Sequence, residues 1–114
     1  TNERRIHMRF PLPAPLLEFL ILAILDQQDS YGYEICQQIK TIQMIKEPVL
    51  YPILKKLQQE GLIESYEKII SNRRRKYYLL TVSGKKELEM MRRDWDTYAH
   101  GIARITNRKG ENHE

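Results

Sequence analysis

With 114 residues the sequence has room for one domain of ordinary size and not two, and its 41% apolar content is enough for a core. A chain this short buries only about two-thirds of its unfolded surface, so a second chain supplying more core would help. Nineteen Lys and Arg against fifteen Asp and Glu leave a formal charge of +4, a modest lean toward a polyanion, while a single cysteine excludes an internal disulfide framework.

No Cys/His spacing suits a structural zinc, so no metal or cofactor is expected. The longest apolar run, Leu16 to Leu25, is interrupted by Glu18 and falls well short of the ~20 residues that span a membrane. It follows Pro11, Pro13 and Pro15 and lacks a small-residue cleavage site, so neither a leader nor membrane attachment is expected and a cytoplasmic location is the default.

In chain order, residues 1–12 read as a polar, basic, then proline-spaced arm. A first helix is predicted from about Pro13 to Gln27, apolar nearly all round and so buried on more than one side. After the polar turn at Asp26 to Ser30, a second helix is predicted from Ser30, as N-cap, to Gln43, with Ile35, Ile39 and Ile42 at helical spacing. A third runs from Glu47-Pro48 to a C-cap at Gly61. Its inner stripe is Leu50, Ile53, Leu54 and Leu57, which puts Pro52, Lys55, Lys56 and Gln59 on the other side with Tyr51 at the flank.

Beyond Gly61 the period changes. Leu62 to Ile70 and Lys76 to Thr81 read as a two-stranded hairpin, with Ser71-Asn72-Arg73-Arg74-Arg75 as a basic tip. The final helix is capped by Thr81 or Ser83 and runs to Thr106. Its Leu88, Met91, Trp95, Tyr98, Ile102 and Ile105 are spaced 3-4-3-4-3, a heptad seam for packing against another long helix. Residues 107–114 read as a polar, frayed tail.

The expected fold class is therefore mainly α with a two-stranded β-hairpin: a winged helix-turn-helix over 13–82, followed by a dimerisation helix over 83–106. Catalysis is the easiest function to reject. Of His7, His100 and His113, two lie in terminal segments, and the sequence has no Gly-rich phosphate loop, no GxSxG and no HExxH. Cys36 reads as a small core hydrophobe.

Helix, turn, helix and basic hairpin instead fit double-stranded DNA. The third helix matches a major groove about 12 Å wide. Tyr51, Pro52, Lys55, Lys56 and Gln59 are its candidate contacts, and Arg73, Arg74, Arg75 and Lys76 concentrate four charges for phosphates. The alternative is a winged-helix module that binds protein and not DNA. Arg4 and Arg5 read either as a minor-groove arm or as a solvated tail. Tyr31, Tyr33, Tyr77 and Tyr78 are expected to brace the wing and the second helix.

Three ordered motifs go further. Tyr31-Gly32-Tyr33-Glu34-Ile35 comes first. Leu50-Tyr51-Pro52-Ile53-Leu54-Lys55-Lys56-Leu57 with Glu60-Gly61-Leu62-Ile63 follows, and then Arg75-Lys76-Tyr77-Tyr78-Leu79-Leu80-Thr81 with Gly84. Together they resemble the PadR family of bacterial transcriptional regulators, over about Leu16 to Ile105. The single long terminal helix bearing a tryptophan is similar to the small subfamily of LmrR-like multidrug regulators.

The resemblance implies a homodimeric repressor on a pseudo-palindromic operator, its last helix crossing to the other subunit. Leu16, Leu20 and the seam from Leu88 to Ile105 are the dimerisation candidates. It also implies an aromatic or amphipathic effector at the dimer centre, with Trp95 at the position of the family's ligand-stacking tryptophan. On its own spacing, Trp95 reads first as interface core, with a ligand sandwich between paired tryptophans as the second reading. Asp94 and Asp96 flank it but point to other faces of the helix. Two departures stand out. Pro48-Val49 replaces the family's small Gly-Thr type pair, so groove contacts from that turn should differ. The tip lacks the usual glycines, so the wing should be shorter or differently bent.

Overall fold

A computed structural model describes residues 9–107, so Arg4, Arg5, His7 and the tail beyond 107 lie outside the described residues. In chain order the elements are α1 (Ala14–Gln27), β1 (Ser30–Tyr31), α2 (Gly32–Ile39) and a 3₁₀ turn (Glu47–Val49). Then come α3 (Leu50–Gln59), β2 (Ile63–Ile70), β3 (Arg73–Leu80) and α4 (Val82–Thr106).

Prolines shape the entry to α1: Pro13 stands extended before the helix and Pro15 sits in its first turn, where a missing N–H leaves nothing unmade. Leu17, Ile21, Leu22, Ile24 and Leu25 are buried. Around them pack Ile35, Cys36 and Ile39 of α2, Leu50, Leu54 and Leu57 of α3, Ile63 of β2 and Tyr78 of β3. The Cys36 Sγ lies 3.6 Å from the Ile45 carbonyl oxygen, and burial pushes its thiol above the ordinary range.

Two predictions about the second helix need correction. Ser30 is not its N-cap: it lies in β1 opposite Tyr78, fully buried, and its hydroxyl donates to Glu34 Oε1 at 2.8 Å. The helix also stops at Ile39 rather than Gln43. The Ile42 amide turns back to the Ile39 carbonyl at 2.9 Å, the Thr41 hydroxyl takes the Gln38 carbonyl at 2.7 Å, and Ile42 is exposed. A Thr side chain bonding its own backbone in this way competes with helix continuation. Gln43 instead anchors the arm, its Oε1 accepting from the Leu12 amide at 3.1 Å.

α3 begins at Leu50 after the Pro48 turn, three residues later than expected. Pro52 therefore falls in the first turn, where a backbone donor is dispensable. The stop at Gly61 is as predicted. Gly61 adopts φ 77° and its amide meets the Gln58 carbonyl, while the Leu62 amide reaches Leu57, the doubly bonded terminus that glycine favours.

The sheet has three strands in the order β1-β3-β2, all antiparallel, not two. Ile70 pairs with Arg73, so the turn is only Ser71-Asn72, both at positive φ (53° and 63°) as a tight primed hairpin requires. The three arginines expected in a loop are strand residues. Thr81 caps α4: its hydroxyl accepts from the Gly84 amide at 2.9 Å and donates to the Gly61 carbonyl at 2.7 Å. Gly84 is held against the wing root so closely that a Cβ there would lie 2.1 Å from the Leu62 carbonyl oxygen.

Candidate nucleic-acid interface and helix seam

The outward face of α3 presents Tyr51, Pro52, Lys55 and Gln59 to solvent, as the periodicity predicts. Lys56 is different. Its ammonium is held by Glu18 of α1 at 2.9 Å and by Glu60 at 3.3 Å, which raises its pKa, so it braces α3 against α1 instead of standing free for a groove. Periodicity placed it outside correctly but had no means of seeing a partner 38 residues away.

Tyr51 lies across the start of α2, its Oη so near Gly32 that a Cβ there would sit 2.8 Å away. Its hydroxyl donates to the Glu47 carboxylate, and that bond with partial burial pushes its pKa up to about 12. The ring thus closes one side of a notch of about 210 Å³ whose other walls include Tyr33 and, from the middle of β3, Arg75 and Lys76.

Strand alternation divides the basic run. Arg74 and Lys76 share the face that carries Tyr78 and Ile63 into the core, whereas Arg73 and Arg75 share the opposite face with Tyr31, Tyr66 and Tyr77. On that outer face, Tyr66 and Tyr77 stack at 5.8 Å, Tyr31 and Tyr77 meet at 5.2 Å, and the Arg75 guanidinium lies 4.6 Å from the Tyr31 centroid. Lys68 covers Tyr77 at 5.0 Å, and the Tyr66 hydroxyl donates to Asp29 at 2.7 Å. Tyr31, Tyr77 and Tyr78 brace the wing as expected, whereas Tyr33 is exposed. Arg74 pairs loosely with Glu67 at 3.4 Å on the exposed surface, worth little and easily exchanged for a phosphate.

α4 is the second region of interest. Leu88 is wholly buried in the chain's own core, which corrects its assignment to a partner contact. The rest of the seam opens outward: relative exposure is 40% at Trp95, 61% at Tyr98, 47% at Ile102 and 84% at Ile105. Met91, Leu16 and Leu20 are half-buried, and Phe19 of α1 lies 6.2 Å from Trp95, which in turn meets Tyr98 at 5.7 Å. Asp94 and Asp96 are exposed. The helix is tied down at its start by Lys85 and Arg92, which both reach Asp26 of α1, at 2.8 and 3.4 Å. The Lys85 bond holds the Asp26 carboxyl below its ordinary pKa. No described helix is long and apolar enough to cross a membrane.

A helix pair followed by a hairpin, with a long terminal helix, defines a winged helix-turn-helix protein. The family model for the transcriptional regulator PadR-like family matches residues 21–90, more than half of the sequence, and the chain belongs to that family.

Similar solved structures include the smu.1704 protein of Streptococcus mutans UA159, 46% identical with a TM-score of 0.81 over 94% of this chain and 100% of that one. A PadR family regulator of Clostridium difficile R20291 is 36% identical, TM-score 0.73, over 78% of this chain and 96% of that one. Bacillus subtilis PadR, solved in complex with operator DNA, is 35% identical, TM-score 0.61, over 73% of this chain and 48% of its own length.

Proposed function

We propose that the chain is a homodimeric DNA-binding repressor, reading a pseudo-palindromic operator with two copies of α3 and gripping phosphates with the wing. The observation that carries the reading is the junction of α3 and the wing: Tyr51 of α3 and the cationic residues Arg75 and Lys76 of β3 line one notch, while Pro52, Lys55 and Gln59 of α3 are exposed. Basic side chains flanking an exposed second helix suit a groove bordered by phosphates. Arg73 and Arg74, next to the turn, extend the same cationic strand, while Lys56 contributes by bracing α3.

The partner in the dimer is a second copy. Trp95, Tyr98, Ile102 and Ile105 form an exposed apolar stripe, and an isologous pairing of two such stripes covers both at once. In this arrangement Trp95 faces its symmetry mate near the dimer centre, where a planar aromatic or amphipathic effector would stack and alter the spacing of the two α3 helices. Half-sites one or two turns apart, about 10 or 20 bp, fit such a dimer.

Gel-shift titration against DNA from its own promoter region, at two salt concentrations, tests the reading. A specific complex that weakens steeply with salt is expected. Neutralising Arg73, Arg74 and Arg75 together should abolish it; a complex indifferent to that change, or a flat salt response, refutes the reading.

A further inference from the structure

The notch between α2, α3 and β3 contains a contradiction if its business is with phosphate. Two cationic residues line it, Arg75 and Lys76, with Tyr33 and Tyr51, yet Glu47 is there too. Glu47 sits at the start of the 3₁₀ turn that leads into α3, half-buried, and its carboxylate accepts a hydrogen bond from the Tyr51 hydroxyl. A phenol O–H donates one hydrogen bond. Given to Glu47, it is withheld from anything else entering the notch. Gly32 suits the arrangement, since a Cβ there would come within 2.8 Å of the Tyr51 hydroxyl oxygen and the ring would have to shift.

Building on the DNA-binding reading above, we propose that the notch receives one backbone phosphate of the duplex, and that Glu47 is a built-in competitor for it. The carboxylate occupies the Tyr51 donor in the unbound protein and adds a like charge beside the incoming phosphate. It therefore lowers affinity for all sequences alike, because a phosphate contact carries no base information. For a regulator that must leave non-specific DNA, a uniform penalty at a backbone contact raises the share of binding that depends on α3 reading bases.

The test uses the full chain, with fluorescence anisotropy on the promoter duplex and on a scrambled duplex of equal length. Glu47→Gln keeps an acceptor for Tyr51 and removes the charge, so it should tighten both complexes by about three- to tenfold, the scale of one like charge near the surface. Adding Tyr51→Phe to it should cancel part of that gain. Lys76→Ala should weaken both complexes and flatten the salt slope by about one. Glu64→Gln, an equal charge change at an exposed position on the outer face of β2, should shift affinity less than twofold.

Thermal melts of each variant establish that it is folded. A Glu47→Gln protein that binds no tighter than a wild type that does bind overturns the inference, as does an equal gain from Glu64→Gln. Wild-type protein that binds neither duplex overturns the DNA-binding reading itself.

Discussion

The two halves of α4 carry one uninterrupted heptad pattern and yet live in different surroundings. In the first half, Leu88 is sealed in the core, the cap at Thr81 is satisfied, and Lys85 and Arg92 are tied to Asp26 of α1. In the second, Tyr98, Ile102 and Ile105 stand in the open. The same spacing thus reports two kinds of packing, one within the chain and one that a second chain would complete. Periodicity identifies an apolar stripe but not its owner, and only the contacts of α1 with the start of α4 show where ownership changes.

Three substitutions separate these halves. The largest effect is expected from Leu88→Ala, which opens a cavity in the chain's own core and should cost about 2–5 kcal/mol of fold stability, read as a loss of 10 °C or more in thermal melting. Trp95→Ala comes next and should fall on assembly rather than folding. Sedimentation should show dimer dissociation at least a hundredfold easier, on the scale of about 3 kcal/mol for a large aromatic, with the helical content of the monomer kept. If Trp95→Ala instead melts the chain as Leu88→Ala does, the boundary between the halves is misplaced.

The smallest effect is expected from Asp26→Asn, at the seat of α4. The wild-type carboxyl is depressed below its ordinary value by Lys85, so its contribution is present above pH of about 4 and lost as pH falls through the depressed value. Acid titration followed by circular dichroism should show Asp26→Asn less stable than wild type near neutrality and converging with it in acid.

Much of this architecture was legible in the sequence because it is written in strong local signals. Gly61 stops α3, Thr81 caps α4 and the Leu50-Leu54-Leu57 stripe faces inward, each as predicted. What was missed depends on partners far along the chain. β1 is two residues long, too short for any period, and exists because Tyr78 and Tyr77 of β3 lie opposite it. The run Ser71 to Arg75 reads as a loop by composition. It became turn and strand because Ser71 and Asn72 accept positive φ and the arginines then continue the ladder with β2.

The candidate site shows the same division. Tyr51, Pro52, Lys55 and Gln59 were placed on the correct face by helical spacing alone. The engagement of Lys56 with Glu18 and the sorting of arginines between two sheet faces needed register and long-range contact. Glu47 was assigned no role from sequence, although its position four residues before Tyr51 is a spacing at which side chains meet across one helical turn.

The close fit of Gly84 against the Leu62 carbonyl seats the first turn of α4 directly on the segment that leads into β2. Past Trp95, which meets Phe19 of α1, the eleven residues from Asp96 to Thr106 carry the helix on by about 17 Å at 1.5 Å per residue. The direction in which that length projects is set where one small residue lets the rod leave its socket.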